Sequence, residues 1–370
     1  MKIKYYSLDK ILDTGADYFI IYGERSNGKT TAVLAYGLKD YIESDYTNQL
    51  AIIRRWDLDI KGKNGSQMFA SIESLGWVEK WTKGKYNAIF YQSYRWYLML
   101  VDSEGQVLYK DEKPFAMAFA LSSEEHYKST SYPTITNVLF DEFITRSYYL
   151  PDEFVKFQNL LSTIIRLRTN VKIFMCGNTI NQYCPYFNEM GLVNVKKQKK
   201  GTIDVYEYGE GELKVAVEFS DFDSKKKASN KYFAFDNPKL QMIKSGTWEL
   251  GIYPHLPCDY YPTEVAYKFY IVFQDETLQC EIINSHLLKE TFIFIHKKTT
   301  PIKEDRTALI FSEEIRPERN YRLCLNKPTD KLSTNIWKYF VKNKVFYQSN
   351  EIGEIVRNFI MTTTKKGLIS

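Results

Sequence analysis

An α/β fold built on a mainly parallel sheet is what this 370-residue sequence predicts. Three observations carry the prediction. Short apolar runs rich in β-formers, such as residues 17–22 and 50–54, alternate with stretches of helical spacing. A glycine-containing octapeptide, Gly23-Glu24-Arg25-Ser26-Asn27-Gly28-Lys29-Thr30, joins the first run to a helical stretch. A later apolar run, residues 137–140, passes directly into Asp141 and Glu142.

The elements follow in order. Residues 17–22 (DYFIIY) read as a buried strand ending at Gly23, and residues 31–42 as a helix. Residues 50–54 form a second strand and the polar stretch 57–67 a loop. Residues 86–101 and 107–121 read as strands joined by turns, the first at 102–105, inserted into the sheet or added beside it. After the strand at 137–140, Pro151 and Asp152 open a helix running to Ile165, since proline suits the start of a helix and an acid complements its amino end. Residues 171–176 form a strand that closes on Gly177 and Asn178. The pattern then weakens into mixed charge. The expected organisation is an ATPase-type domain over 1–200, a linker or lid over 201–248, and a smaller α+β domain over 249–370. That last part should hold strands at 267–273, 278–284 and 291–296, and helices at 334–342 and 351–361.

Hydrophobic residues make up 44% and charged residues 26%, enough to bury a core and too apolar for a disordered tail. Aromatics reach 16%, which suggests β-rich packing or stacking surfaces. The net charge of +5 does not by itself establish nucleic-acid binding, but permits local basic patches. Five cysteines with no CxxC pair argue against a disulfide framework and a zinc site, and fit a reducing cytoplasm. The amino terminus lacks the apolar core of a signal peptide. No apolar run of about 18 residues occurs, so no membrane partner is expected.

The octapeptide matches GxxxxGK[ST]. Its glycines let the backbone curl so that successive N–H groups face phosphate oxygens, and the following helix adds its positive end. Lys29 would reach the β- and γ-phosphates, and Thr30 would offer its hydroxyl to Mg2+. Gly23, Glu24, Arg25, Ser26, Asn27, Gly28, Lys29, Thr30 and Thr31 are therefore the candidate nucleotide-binding residues. Arg25 either contacts phosphate or changes partner with nucleotide state. A guanine-reading NKxD motif is absent, which favours ATP.

Asp141 and Glu142 end an apolar strand about 110 residues beyond the loop. Asp141 would hold Mg2+ through water and accept from Thr30, while Glu142 would take the proton of the attacking water. With at least one strand between the motifs, the spacing suits the strand-inserted (ASCE) type of P-loop NTPase. Asn178 either reaches the γ-phosphate or its water, or is a turn residue after Gly177. Arg166 and Arg168 follow the helix after Glu142. One of them either stabilises the γ-phosphate charge of a neighbouring subunit, or both belong to a solvated helix end. Arg146 is a further candidate.

Taken together, GERSNGKT, IIRRWD, NVLFDEFI and LLSTIIRLRTNVKIFMCGNT resemble the DNA-packaging (encapsidation) ATPases of small tailed phages with protein-primed linear genomes, over roughly residues 15–185. The similarity is nearest to the motor type that carries a structural packaging RNA. It implies that Asp141-Glu142-Phe143-Ile144 is the family's DEF-I segment, that Arg25 matches an arginine in the family's phosphate loop, and that Arg166 holds the place of its trans-acting arginine. It implies ATP and Mg2+ as cofactors and a homomeric ring, a pentamer, at the portal vertex of a procapsid. Double-stranded DNA, the portal, the packaging RNA and the terminal-protein-capped genome end are the implied partners. The implied setting is the host cytoplasm, with transient attachment to the procapsid. It also implies a carboxy-terminal RNase H-like domain. There Asp259, Asp275, Glu276 and Glu281 are the candidate acids, and placing Asp275 and Glu276 in a turn marks a nuclease relic that binds nucleic acid without cutting it.

Translocation along any sequence calls for phosphate contacts rather than base readout. Lys61 and Lys63 are pore candidates. Lys196, Lys197, Lys199 and Lys200 are hinge or nucleic-acid candidates, each alternatively an ordinary solvated lysine. A helicase or another nucleic-acid-dependent P-loop ATPase is the alternative the motifs leave open.

Overall fold

A single twisted sheet organises the first of two units, Met1–Trp248, the second being Glu249–Ser370. The computed structural model describes residues 6–221, 248, 250–302 and 308–366. Ten strands of the first unit are β1 (Tyr18–Gly23), β2 (Gln49–Arg54), β3 (Ala88–Gln92), β4 (Arg95–Val101), β5 (Val107–Lys110), β6 (Ala116–Ala120), β7 (Ile135–Asp141), β8 (Lys172–Asn178), β9 (Ile203–Tyr208) and β10 (Leu213–Ser220). Their order is β3-β4-β6-β2-β7-β8-β1-β10-β9, with β5 beside β4. From β6 to β10 the neighbours are parallel. Strand β8 lies between β1 and β7, which is the inserted strand of the ASCE arrangement.

Both faces of this sheet are covered, so its strands read as apolar runs rather than as alternating ones. All six residues of β1 are buried. Phe19, Ile21, Ile52, Leu139 and Phe174 pack with Val33, Leu34 and Leu38 of helix α1 (Lys29–Glu43). Ile20, Ile53, Phe140 and Met175 pack on the opposite side with Phe157, Leu160 and Ile164 of helix α2 (Glu153–Ile165). Because the central strands are parallel, Arg54, Asp141, Asn178, Gly23 and Ser220 all end on one edge. That edge is where ligands bind in open α/β sheets.

In the first unit the structure departs from the sequence reading in four places. Residues 57–67 are not irregular but hold a 3-10 turn, Asp57–Asp59, and a short helix, Gly62–Ser66. The run 86–101 is a hairpin, broken at Ser93 and Tyr94 with φ of 50° and 64°. The run 107–121 divides around Pro114 into β5, all of whose residues are exposed, and β6, which joins the parallel core. The expected linker over 201–248 is, in its described part, the hairpin β9–β10. Here β10 pairs in parallel with β1, because Val215, Ala216 and Val217 bury against the sheet while its charges face outward or are paired. Residues 222–247 of that expected lid lie outside the described residues.

The second unit carries β11 (Val265–Phe273), β12 (Glu276–Ser285), β13 (Glu290–Lys297), β14 (Ile310–Ser312), β15 (Tyr321–Arg322) and β16 (Val345–Tyr347). Their order is β15-β14-β11-β12-β13-β16, with β12 alone running against the rest. Counted from β11, the strands run third, second, first, fourth, fifth, the order of an RNase H-like sheet, with β16 added outside β13. Helices Lys331–Val341 and Asn350–Lys366 complete it; Phe359 of the latter packs edge-on against Phe273 at 6.1 Å.

Of the candidate acids of this unit, Glu276 and Glu281 are engaged separately. Asp275 lies in the β11–β12 turn, whereas Glu276 is the first residue of β12 and pairs with Lys297 at 2.8 Å. Glu281 is buried mid-strand, accepting from Tyr260 (2.6 Å), Gln279 (2.6 Å) and Lys268 (3.1 Å), with His296 Nε2 at 4.0 Å. His296, Tyr260, Lys268 and Gln279 hold its carboxyl well below the usual range against the effect of burial. Among the described residues no cluster of three or more His, Cys, Asp or Glu is arranged to hold a metal.

Candidate nucleotide site

The turn after β1 is built by residues that tolerate unusual backbone. Gly28, the residue before α1, has φ of 87°, and Ser26 has φ of 58°. Gly23 runs so close to β10 that a Cβ there would meet the Ser220 carbonyl at 3.0 Å. Asn27 is 4% exposed and donates to Ser220 Oγ at 2.8 Å, tying the turn to β10. No acid stands in the first turn of α1, so its positive end is left for an anion.

Lys29, the first residue of α1, points back into the turn. Its ammonium donates to the Glu24 carbonyl (2.6 Å), Asn27 Oδ1 (3.0 Å) and Asn178 Oδ1 (3.3 Å). The position predicted for phosphate oxygens is thus filled by the protein's own oxygens. Lys200 reaches across to the Glu24 carboxylate. Burial pushes the Lys29 amine down to about 8, opposed by Cys176, Asp141, Glu24 and Glu218. An anion prefers the protonated amine, which is already present below about pH 8. Above it, binding must take up a proton, so affinity for a non-hydrolysable ATP analogue should fall about tenfold per pH unit. Calorimetry in buffers of different ionisation heat should read an uptake near one proton at about pH 9. A pH-independent affinity across that range would contradict this coupling.

Thr30 Oγ1 donates to Asp141 Oδ1 at 2.7 Å, so the two motifs meet at one point. A hydroxyl and a carboxylate are hard oxygen donors of the kind Mg2+ takes. Glu142 follows Asp141 with φ of 56°, its side chain 61% exposed.

Two further residues escape the sequence reading. Arg54, at the end of β2, donates to Asp141 Oδ2 at 2.9 Å and to Glu142 Oε2 at 2.7 Å, bridging both acids. Arg55 turns the other way and is buried with Glu153 in a two-point pair at 2.8 Å and 2.8 Å. The sequence offered only a strand ending in Arg-Arg; that it lies beside the strand leading to Asp141 and Glu142 is a matter of sheet order.

Thr31 lines a groove of about 370 Å3 together with residues that include Tyr6, Tyr36, Trp77 and Trp81. Arg166 is exposed just beyond α2, its guanidinium donating to the carbonyls of Lys128 (3.3 Å) and Thr130 (3.0 Å). Arg168 instead donates to four carbonyls, those of Ile165, Ile135, Tyr132 and Ile164. Arg146 is half-buried in the loop after Glu142, and Arg25 is exposed in the turn. Lys61 and Lys63 lie on the exposed segment after β2, Lys61 4.0 Å from Asp57. Lys196 lies over the Tyr183 ring at 4.8 Å, and Lys197 is exposed.

A phosphate loop at the carboxyl edge of a parallel sheet, an inserted strand, and a hydroxyl–carboxylate pair between the motifs define a P-loop protein of the ASCE class. Residues 1–237 match the family of the Podovirus DNA encapsidation protein (Gp16), and the chain belongs to that family. The DNA packaging protein of Bacillus phage B103 is 29% identical over 190 residues, 50% of this chain and 50% of that one. The DNA packaging protein of Bacillus phage phi29 is 26% identical over 223 residues, 59% of each chain. The match thus spans between half and three-fifths of these curated relatives' length. A chain of the bacteriophage Phi-29 viral genome packaging motor assembly shares the fold, with a TM-score of 0.57 and 18% identity, covering 97% of this chain and 99% of that one. No helix among the described residues is long and apolar enough to cross a membrane.

Proposed function

We propose that this chain hydrolyses ATP to drive double-stranded DNA into a phage procapsid, working as one subunit of a homomeric, pentameric ring at the portal. The observation that carries this reading is the 2.7 Å hydrogen bond from Thr30 to Asp141, which joins the phosphate loop to the acidic strand end. Family membership supplies the packaging context.

The chemistry follows from the residues. An incoming triphosphate takes the place of the Glu24 carbonyl at Lys29, whose ammonium then serves the β- and γ-phosphates. Thr30 and Asp141 would hold Mg2+, which neutralises charge on the phosphate oxygens. Glu142 accepts the proton of the attacking water as its oxygen bonds to the γ-phosphorus and the bond to the ADP oxygen breaks. Arg54 holds one oxygen of the Glu142 carboxylate at 2.7 Å, so Arg54 restrains the base in the arrangement described. Asn178 orients the γ-phosphate or the water. Arg166 comes from the neighbouring subunit to balance the transition-state charge.

The packaging RNA, the portal and the genome end are read as further partners. Lys61, Lys63, Lys196 and Lys197 are the candidate nucleic-acid contacts, all on exposed or edge segments. The second unit is inferred to bind without cutting, because Glu281 already accepts from three donors. Phosphate release by the purified protein should rise on adding double-stranded DNA. Release that single strands alone stimulate, together with strand separation, would favour the helicase alternative.

A further inference from the structure

We propose that Arg55, through its buried pair with Glu153, is a positioning residue for Glu142. The proposal rests on Glu142 being the base.

The chain makes a sharp turn at Glu142. Asp141 ends β7, Glu142 takes a φ of 56°, and Phe143 and Ile144 then plunge into the core at 0% and 2% exposure. A left-handed glutamate holds that conformation only where its surroundings fix it. One wall is β8. At Gly177 a Cβ would meet Ile144 at 2.8 Å and Phe143 at 2.9 Å, so the turn is pressed against bare backbone. The other wall is Arg55, whose guanidinium donates to the carbonyls of Glu142 (3.2 Å) and Phe143 (2.8 Å). The two arginines at the end of β2 thus divide the base between them. Arg54 takes its side chain and Arg55 its main chain.

Arg55 is itself immobilised. It is 6% exposed and Glu153 3%, and the pair is bidentate. The guanidinium lies 4.9 Å from the Tyr149 ring centre. Glu153 also accepts from the Leu150 N–H at 2.6 Å and from the Tyr186 hydroxyl at 3.0 Å. A buried ion pair is a poor stabiliser compared with apolar residues of like size. What this one provides, and an apolar pair would not, is two fixed donors, one on the carbonyl of the base and one on that of the residue after it. When Arg54 releases the Glu142 carboxylate, Arg55 keeps the backbone beneath it in place, so the side chain turns about a fixed point.

The test is the double variant Arg55→Met with Glu153→Met, which leaves no unpaired buried charge. Melting and circular dichroism report whether it folds. The expected result is an affinity for an ATP analogue within about threefold of the parent and a kcat about 100-fold lower, the scale of a reacting group misplaced by about 1 Å. In a Glu142→Gln background the same double change should cost no further rate, because the group it positions is already gone. A folded double variant that binds and turns over like the parent would overturn the proposal. So would a loss that multiplies with that of Glu142→Gln. If the double variant does not fold, Arg55→Lys carries the test with the same readings, since a lysine keeps the charge but lacks the planar fork that serves carboxylate and carbonyls together. Glu142→Gln that hydrolyses at the parent rate would instead sink the base assignment itself, whatever Arg55 does.

Discussion

Glu142→Gln should bind ATP as the parent does and hydrolyse it 100-fold to 10,000-fold more slowly, roughly the contribution of a positioned general base. The amide keeps the size of the side chain and offers Arg54 an acceptor oxygen, but it cannot take a proton. Lys29, Thr30 and Asp141, which would hold the triphosphate and its metal, are untouched, and the Thr30–Asp141 contact at 2.7 Å does not involve Glu142. Binding and turnover should therefore separate cleanly. Phosphate release measured beside the affinity for a fluorescent ATP analogue reads both. Undiminished hydrolysis would mean that another group activates the water.

Arg166→Ala should be at least as damaging, because an arginine that meets a transferring phosphoryl group contributes about 1,000-fold to 100,000-fold. The structure separates the two neighbouring arginines by what they already hold. Arg168 donates to four main-chain carbonyls between Tyr132 and Ile165, so Arg168→Ala should chiefly lower the melting temperature. Arg166 is exposed, with only its Nη2 on two carbonyls, and can be withdrawn at small cost. If it acts on a neighbour, rings mixed from Arg166→Ala and Glu142→Gln subunits will regain part of the activity. The gain comes from interfaces pairing an intact Glu142 with an intact Arg166. Mixed rings with no recovery would contradict action between subunits.

Much of the site was legible because its chemistry is local in sequence. The loop at 23–30 and the acids at 141 and 142 each declare themselves within eight residues, and the strands that carry them are continuous apolar runs. The missing partners are those whose meaning lies in sheet order. Arg54 and Arg55 look like an ordinary strand end until β2 is seen beside β7. The same holds for β10. Its Leu213–Ser220 run lies amid lysines and acids that suggested a hinge, yet it pairs with the strand that bears the phosphate loop. The hairpin turn at Ser93 and Tyr94 was hidden for a different reason, since neither residue is the glycine or asparagine that usually marks such a turn. In the second unit the three long strands were readable from their β-branched and aromatic runs. The two- and three-residue strands β14, β15 and β16 are too short to carry a pattern.

The most direct measurement is a structure of the protein with Mg2+ and a non-hydrolysable ATP analogue. The account predicts the triphosphate within the curl of residues 23–30, with Lys29 moved from the Glu24 carbonyl onto phosphate oxygens and Thr30 and Asp141 both turned to the metal. A nucleotide bound elsewhere, with Lys29 still hydrogen-bonded to Glu24 and the curl bare, would contradict it.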